Sequence, residues 1–218
     1  MLDIIKLFKE FTVNSGQFTN FIYKINGEKL SEPLINEINL IDGGSRIKDR
    51  LIKVSTLNRK LVFEKTENSI FSNNLTLIDS ALPAILAEIT YMFYTSTGNT
   101  LTDLVNEISI KNPLNFDTSE NHPFYSYKIK RFLTDIALGM MPSKVWTGKL
   151  EATGGYLVVK KDGEILVYHI YNRNDFEDYL LKNTKLETAD PGRHEFGVVY
   201  EEDGAQFFNL NLQIRFIK

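Results

Sequence analysis

The sequence predicts an α/β (α+β) fold, in which a helical middle region is followed by a β-rich C-terminal subdomain with one packed helix. Up to residue 141, several segments carry apolar residues at the three- and four-residue spacing of amphipathic helices. Beyond Pro142 the pattern changes to short strand-like segments joined by Asp-Gly pairs, which favour tight hairpin turns. The sequence therefore predicts a mixed α/β to helical region at 1–141 and a β-rich region at 142–218.

The composition is that of an ordinary globular protein. Hydrophobic residues make up 43% of the 218, and 25 basic against 28 acidic residues give a net charge of −3. No apolar run approaches the ~20 residues that span a bilayer, and no signal peptide opens the chain, so we expect a cytoplasmic protein with no membrane partner. The absence of cysteine excludes disulfides and Cys-based zinc sites. With no overall basic field, any DNA binding must depend on local patches.

The N-terminal region is predicted to contain two strands, at residues 19–25 and 60–64, after a short amphipathic segment at residues 1–10. Ser45 can cap a helix whose apolar residues lie on one face, and the basic residues of this helix, Arg50 among them, are predicted to be solvated.

Further along, Asn73 opens a helical stretch that Pro83 must interrupt or restart, since proline lacks the N–H donor and clashes inside a helix. The next helix is predicted to start at Pro123 and to end at Gly139.

The C-terminal region is predicted to form two hairpins. Their turns are Asp162-Gly163 and Asp203-Gly204, and a capping box at Asn174 predicts a helix between them.

The last strand, residues 209–216, alternates polar and apolar side chains without a fault, as a half-buried strand does. Its apolar face should belong to the core. The other face carries planar groups with hydrogen-bond donors, on Asn209, Asn211, Gln213 and Arg215. Such side chains make paired hydrogen bonds to base edges in a DNA groove, but an ordinary solvent-facing strand would also explain the alternation.

Other candidate DNA-binding residues lie in loops and in the first hairpin. Lys144, Trp146 and Lys149 interleave basic and aromatic character, and Lys160 lies on the hairpin. Arg193 and His194 occupy a loop without apolar periodicity and could contact phosphates or guanine. A buried tryptophan and solvated loop charges are the alternative interpretations.

Motifs that would carry catalysis are not found in the sequence. There is no phosphate-binding loop, no Gly-x-Ser-x-Gly elbow and no His-Glu-x-x-His pair, and the three histidines lie far apart. A common type of metal-dependent nuclease uses Asp/Glu-x-Lys on a strand, yet no Asp or Glu here has a lysine two positions later. The residues alone therefore identify neither catalytic nor metal-ligating side chains.

Several segments together resemble the HpaII-type restriction endonuclease family, from about residue 12 to the C-terminus. The stretches that carry the resemblance, in chain order, lie at residues 14–21, 71–79, 136–139, 146–149, 155–164, 168–172, 193–194 and 210–216. The resemblance implies a type II enzyme that uses Mg²⁺ to cut double-stranded DNA at the palindrome CCGG.

The resemblance also implies a catalytic strand ahead of residue 12, ending in an Ile-Lys pair, where this sequence has Met1 to Lys6 without that pattern. We therefore expect the chain to resemble the C-terminal, DNA-recognising part of the family. Cleavage would then need a missing N-terminal catalytic part or a homodimer partner. The alternative is a non-catalytic DNA-binding or interaction module.

Overall fold

The computed structural model describes residues 16–96, 98–150, 163–165 and 173–217, and it describes the backbone alone at 12–13, 155–159 and 166–169. The amphipathic segment predicted at residues 1–10 lies outside the described residues. In the described part, helices and antiparallel strands are mixed along the chain, which confirms the α/β (α+β) class.

The helices are, in chain order, α1 (Glu32–Leu40), α2 (Arg46–Thr56), α3 (Ser69–Ile78), α4 (Leu82–Thr95), α5 (Leu101–Lys111), α6 (Phe124–Ala137), α7 (Arg173–Lys182) and the short α8 (Pro191–His194). The strands are β1 (Thr12–Val13), β2 (Asn20–Asn26), β3 (Lys60–Thr66), β4 (Gly155–Val159), β5 (Ile165–His169), β6 (Thr184–Leu186), β7 (Val199–Glu202), β8 (Ala205–Asn211) and β9 (Ile214–Phe216). Both predicted hairpins are present, β4 with β5 and β7 with β8. Three helices, α1, α5 and α8, were not predicted, and α8 lies where Arg193 and His194 were expected in a loop.

The strands form three described sheets, with the orders β3-β2-β8-β7, β1-β9-β6 and β4-β5. Because β2 pairs with β8, and β1 with β9, strands on both sides of residue 141 share the same sheets. The division into 1–141 and 142–218 stays a prediction about how the chain is organised.

The core lies between one face of the four-stranded sheet and the central helices. Phe21 and Tyr23 of β2 and Phe208 of β8 are buried. The Phe21 ring packs against Phe71 of α3, and the Tyr23 hydroxyl donates to the Ala87 carbonyl of α4 over 2.6 Å. This bond satisfies a polar group that would otherwise be costly to bury. Within the described residues no single helix could cross a membrane, although the α3–α4 pair, bent by 111°, passes the same test of length and composition.

Three local predictions are wrong: the start of α3, the capping residue of α7 and the exposure of Arg50. Helix α3 begins at Ser69 rather than Asn73, because the Asn68 side chain caps it by accepting from the backbone N–H of Ile70 over 2.9 Å. Asn174 lies inside α7 and does not cap it.

Arg50 is buried and not solvated. Its guanidinium donates to the carbonyls of Asn39 and Gly197, each over 2.6 Å, and so fastens the end of α1 to the segment before β7.

Candidate nucleic-acid interface

The predicted final strand is two strands in two sheets. The chain leaves the four-stranded sheet after Asn211, passes through Leu212 and Gln213, and enters the three-stranded sheet at Ile214. Leu212 and Ile214 are fully buried, as predicted for the apolar face. The three amides predicted on the opposite face are also buried, with exposed fractions of 7% for Asn209, 1% for Asn211 and 4% for Gln213. The expected exposed ladder of amides is therefore not formed.

Asparagine side chains instead make a buried wall, which we call the amide wall and define as Asn20, Asn209 and Asn211. Asn211 Nδ2 donates to Asn20 Oδ1 (2.7 Å) and to the carbonyl of Gly16 (3.0 Å). Asn20 Nδ2 donates to Glu67 Oε2 (2.8 Å) and to the His194 carbonyl (3.1 Å). The wall fixes the backbone around His194 through hydrogen bonds that solvent cannot replace.

The segment between β6 and β7 is held at both ends. At its start, Asp190 caps α8 by accepting from the backbone N–H of Arg193 over 2.9 Å, which holds the pKa of this carboxyl below its ordinary value. At its end, the backbone N–H of Gly197 donates to the carbonyl and the side chain of Asn209, at 2.8 and 3.0 Å. Gly197 has a φ of +82°, which glycine tolerates best. The segment is thus a positioned part of the surface.

One side of this segment forms a cleft that we call the arginine cleft, with a volume of about 480 Å³. Its polar lining consists of Glu187, Thr188, Asp190, Arg193, His194, Gln213 and Arg215. Arg193 is exposed, whereas Gln213 lies at the buried floor. Among the residues that the structure describes, His194 Nδ1 is buried without a hydrogen-bond partner. The hydrogen-bond donors of the cleft thus come from two separate parts of the chain, with Arg193 from α8 and with Gln213 and Arg215 from the region of β9.

The floor of the arginine cleft is built by strand pairing. Lys185 of β6 pairs with Arg215 of β9, and the backbone N–H of Glu187 donates to the Gln213 carbonyl over 3.0 Å. Because side chains alternate along a strand, these four side chains lie on one face of the three-stranded sheet. Glu187 bridges two cations there, with Oε1 2.9 Å from Lys185 Nζ and Oε2 3.4 Å from Arg215 Nη1.

The other side of the segment forms a second cleft, of about 650 Å³, which we call the glutamate cleft. Its charged lining consists of Lys65, Glu67, Glu195 and Glu202. Burial, followed by the charges of Glu202 and Glu67, raises the pKa of the Tyr200 phenol to about 12. The negative charge of the two glutamates thus opposes ionisation of a neighbouring group.

The loop that carries Lys144, Trp146 and Lys149 is fastened to α3. Asn74 donates to the Lys144 carbonyl (2.8 Å) and accepts from the Trp146 backbone N–H (3.0 Å). The Trp146 ring packs partly on the core, while both lysines are exposed. None of the three lines the described part of the arginine cleft. These three residues are therefore not part of the cleft that holds the arginines.

The predicted site residues consequently fall into four groups. Arg193, His194, Gln213 and Arg215 meet in the arginine cleft, and Asn211 lies behind it in the amide wall. Lys144, Trp146 and Lys149 lie on the α3 loop, and Lys160 is outside the described residues. Sequence reasoning missed Lys185 and Glu187, although their spacing of two residues is the signal that places both on one face of a strand.

A metal centre is not formed by the described residues, where no three histidine or carboxylate side chains gather in a way that could hold an ion. The three glutamates of the glutamate cleft do not meet this condition. Catalytic residues therefore cannot be assigned from a metal-ligand geometry in this part of the chain.

Comparison with known proteins gives a consistent result. The family model described as HpaII restriction endonuclease matches residues 6–216. The chain is 49% identical over 205 residues to the type II restriction enzyme HpaII of Haemophilus parainfluenzae. The aligned stretch covers 94% of this chain but 56% of that relative, so the chain spans little more than half its length. No solved structure matches the chain.

Proposed function

The chain belongs to the HpaII restriction endonuclease family, and we propose that it recognises a short palindromic site in double-stranded DNA through the arginine cleft. The site implied by the sequence resemblance is CCGG, and the proposed setting is a type II restriction enzyme that uses Mg²⁺. The observation that carries the proposal is the convergence of Arg193, Gln213 and Arg215 at one cleft, next to a segment fixed by the amide wall.

The chemistry of the cleft suits a site made of G·C pairs. Guanine presents two acceptors, O6 and N7, in the major groove, and a guanidinium donates to both at once. The cleft supplies two arginines, one from α8 and one from β9, together with a buried amide that can both donate and accept. Two arginines are the number that the two guanines in one strand of CCGG would use.

Cleavage is a separate part of the proposal. The described residues offer no three-ligand metal site, so we derive no hydrolytic step from them. We infer that catalysis by the family needs groups other than those described, from another polypeptide segment or from a second copy bound to the other half of the palindrome. The same finding favours the alternative proposal of a DNA-binding module without catalysis.

The experiment that tests the proposal compares two duplexes that differ only in the order of four base pairs. Fluorescence anisotropy would measure the dissociation constant of the chain for a 20-base-pair duplex with a central CCGG and for one with CGCG. We expect at least 10-fold tighter binding to CCGG, because base contacts specify whereas phosphate contacts do not. Equal affinity for both duplexes would contradict the proposal.

A further inference from the structure

The pair of Glu187 and Arg215 presents an acceptor and a donor side by side at the floor of the arginine cleft. Glu187 Oε2 lies 3.4 Å from Arg215 Nη1, and Glu187 Oε1 is held by Lys185 at 2.9 Å. The carboxylate is thus contacted on two sides by cations that lie opposite each other on two paired strands. Both side chains remain partly exposed, at 32% and 47%, so a ligand can reach them.

This spacing matches one edge of a C·G base pair. In the major groove the cytosine N4 amino group donates and the guanine O6 accepts, and the two atoms lie about 3 Å apart because they bond each other. A carboxylate accepts from cytosine N4, and a guanidinium donates to guanine O6 and N7. Resting on the proposed DNA-binding function, we propose that Glu187 and Arg215 act together to read one C·G pair, with Glu187 accepting from cytosine N4.

Joint recognition of a C·G pair by Glu187 and Arg215 would explain the presence of a carboxylate in a cleft that binds a polyanion. In a T·A pair the positions are reversed, since thymine O4 accepts where cytosine N4 donates, and adenine N6 donates where guanine O6 accepts. Glu187 would then face an acceptor and Arg215 a donor, so both contacts become repulsive. Lys185 offsets the cost of bringing the carboxylate near phosphates.

The test uses Glu187→Ala, Glu187→Gln and the unmodified chain on five duplexes. These carry CCGG, CGCG, CTAG, TCGA and a CCGG in which the cytosines are N4-methylated. In a paired N4-methylcytosine the methyl group takes the place of the hydrogen that points into the major groove. We expect the unmodified chain to lose at least 10-fold in affinity on CTAG or TCGA, and on the methylated duplex.

Glu187→Ala should reduce the discrimination against one of CTAG and TCGA and against the methylated duplex to within about 3-fold, whereas Glu187→Gln, which keeps an acceptor oxygen, should retain most of it. If both variants instead gain affinity equally on all five duplexes, Glu187 is only a counter-ion of Arg215 and the proposal is overturned. That result leaves the proposed function intact as long as the unmodified chain still prefers CCGG to CGCG. Loss of that preference would overturn the proposed function itself. Circular dichroism of each variant checks that the fold is kept.

Discussion

The two clefts on either side of the segment between β6 and β7 share a wall but differ in charge. The arginine cleft balances two carboxylates, Glu187 and Asp190, with two arginines, while the charged lining of the glutamate cleft is three glutamates and one lysine. Their volumes, about 480 and 650 Å³, are similar, so size does not distinguish them. The buried amide wall lies between the two clefts. Asn20 contacts Glu67 on one side and the His194 carbonyl on the other.

The comparison shows why a net charge of −3 is compatible with a DNA-binding surface. Carboxylates are in excess on one face of one short segment but are balanced by arginines on the other face, and buried neutral amides lie between the two. A polyanion should therefore be repelled less by the arginine cleft than by the glutamate cleft, at distances within the ~10 Å over which salt leaves charges unscreened. Overall composition cannot show this uneven distribution, because a net charge contains no information about where the charged residues lie.

The largest effect should come from Arg215→Ala. If its guanidinium contacts a guanine, the variant should lose about 1–3 kcal/mol of binding free energy on a CCGG duplex and little on a random duplex. The matched control is Lys65→Ala, which also removes one cation but from the glutamate cleft. Fluorescence anisotropy at one fixed salt concentration measures both. Equal losses for the two variants would mean that the clefts do not differ in function, whereas equal losses of Arg215→Ala on both duplexes would mean that Arg215 only neutralises backbone charge.

The sequence predicted the features of this site that depend on neighbouring residues, and it missed those that depend on contacts between residues far apart in the chain. The alternation of residues 209–216 correctly identified Leu210, Leu212 and Ile214 as buried, because side-chain direction along a strand is local. It could not show that the chain changes sheets at Leu212, which depends on where β2, β6 and β1 lie. The amides were consequently expected at the surface, whereas Asn211 is bonded to Asn20, 191 positions away.

In the rest of the fold, too, hairpin turns set by neighbouring residues were predicted correctly, whereas burial set by distant contacts was not. Turns with a strong local preference were found where expected, and Asp203 and Gly204 both adopt the positive φ that a tight hairpin needs. Arg50 looked solvated because its sequence neighbours are charged, but its guanidinium donates to two carbonyls at the end of α1, those of Asn39 and Ile41, and to the distant carbonyl of Gly197. In such a case the exposure of a polar residue is predicted wrongly because the residue is buried by a hydrogen bond to a partner far away in the sequence.

A smaller effect should appear in the salt dependence of binding, which extends the comparison to the loop on α3. Each phosphate contact contributes about 1 to the slope of log K against log salt. Lys144→Ala, Lys149→Ala, Lys160→Ala and Arg193→Ala should each lower the slope by that amount. Lys24→Ala, an exposed lysine on β2, is the control and should leave the slope unchanged. If only Arg193→Ala lowers it, the DNA contacts the arginine cleft but not the loop.

The smallest expected effect is the absence of cleavage by this chain. Metal-assisted hydrolysis requires carboxylates that converge on an ion and a group that orients the attacking water. The sequence has no Asp/Glu-x-Lys, and the described residues form no three-ligand cluster. Incubation of a CCGG plasmid with a molar excess of the chain and Mg²⁺ should leave the DNA uncut, as judged on a gel against a chelator control. Any cleavage that requires Mg²⁺ would contradict this prediction, and its loss in Glu67→Ala would assign it to the glutamate cleft. The glutamate cleft would then hold the active site, and the two clefts would differ in role, one in recognition and the other in catalysis, and not only in charge.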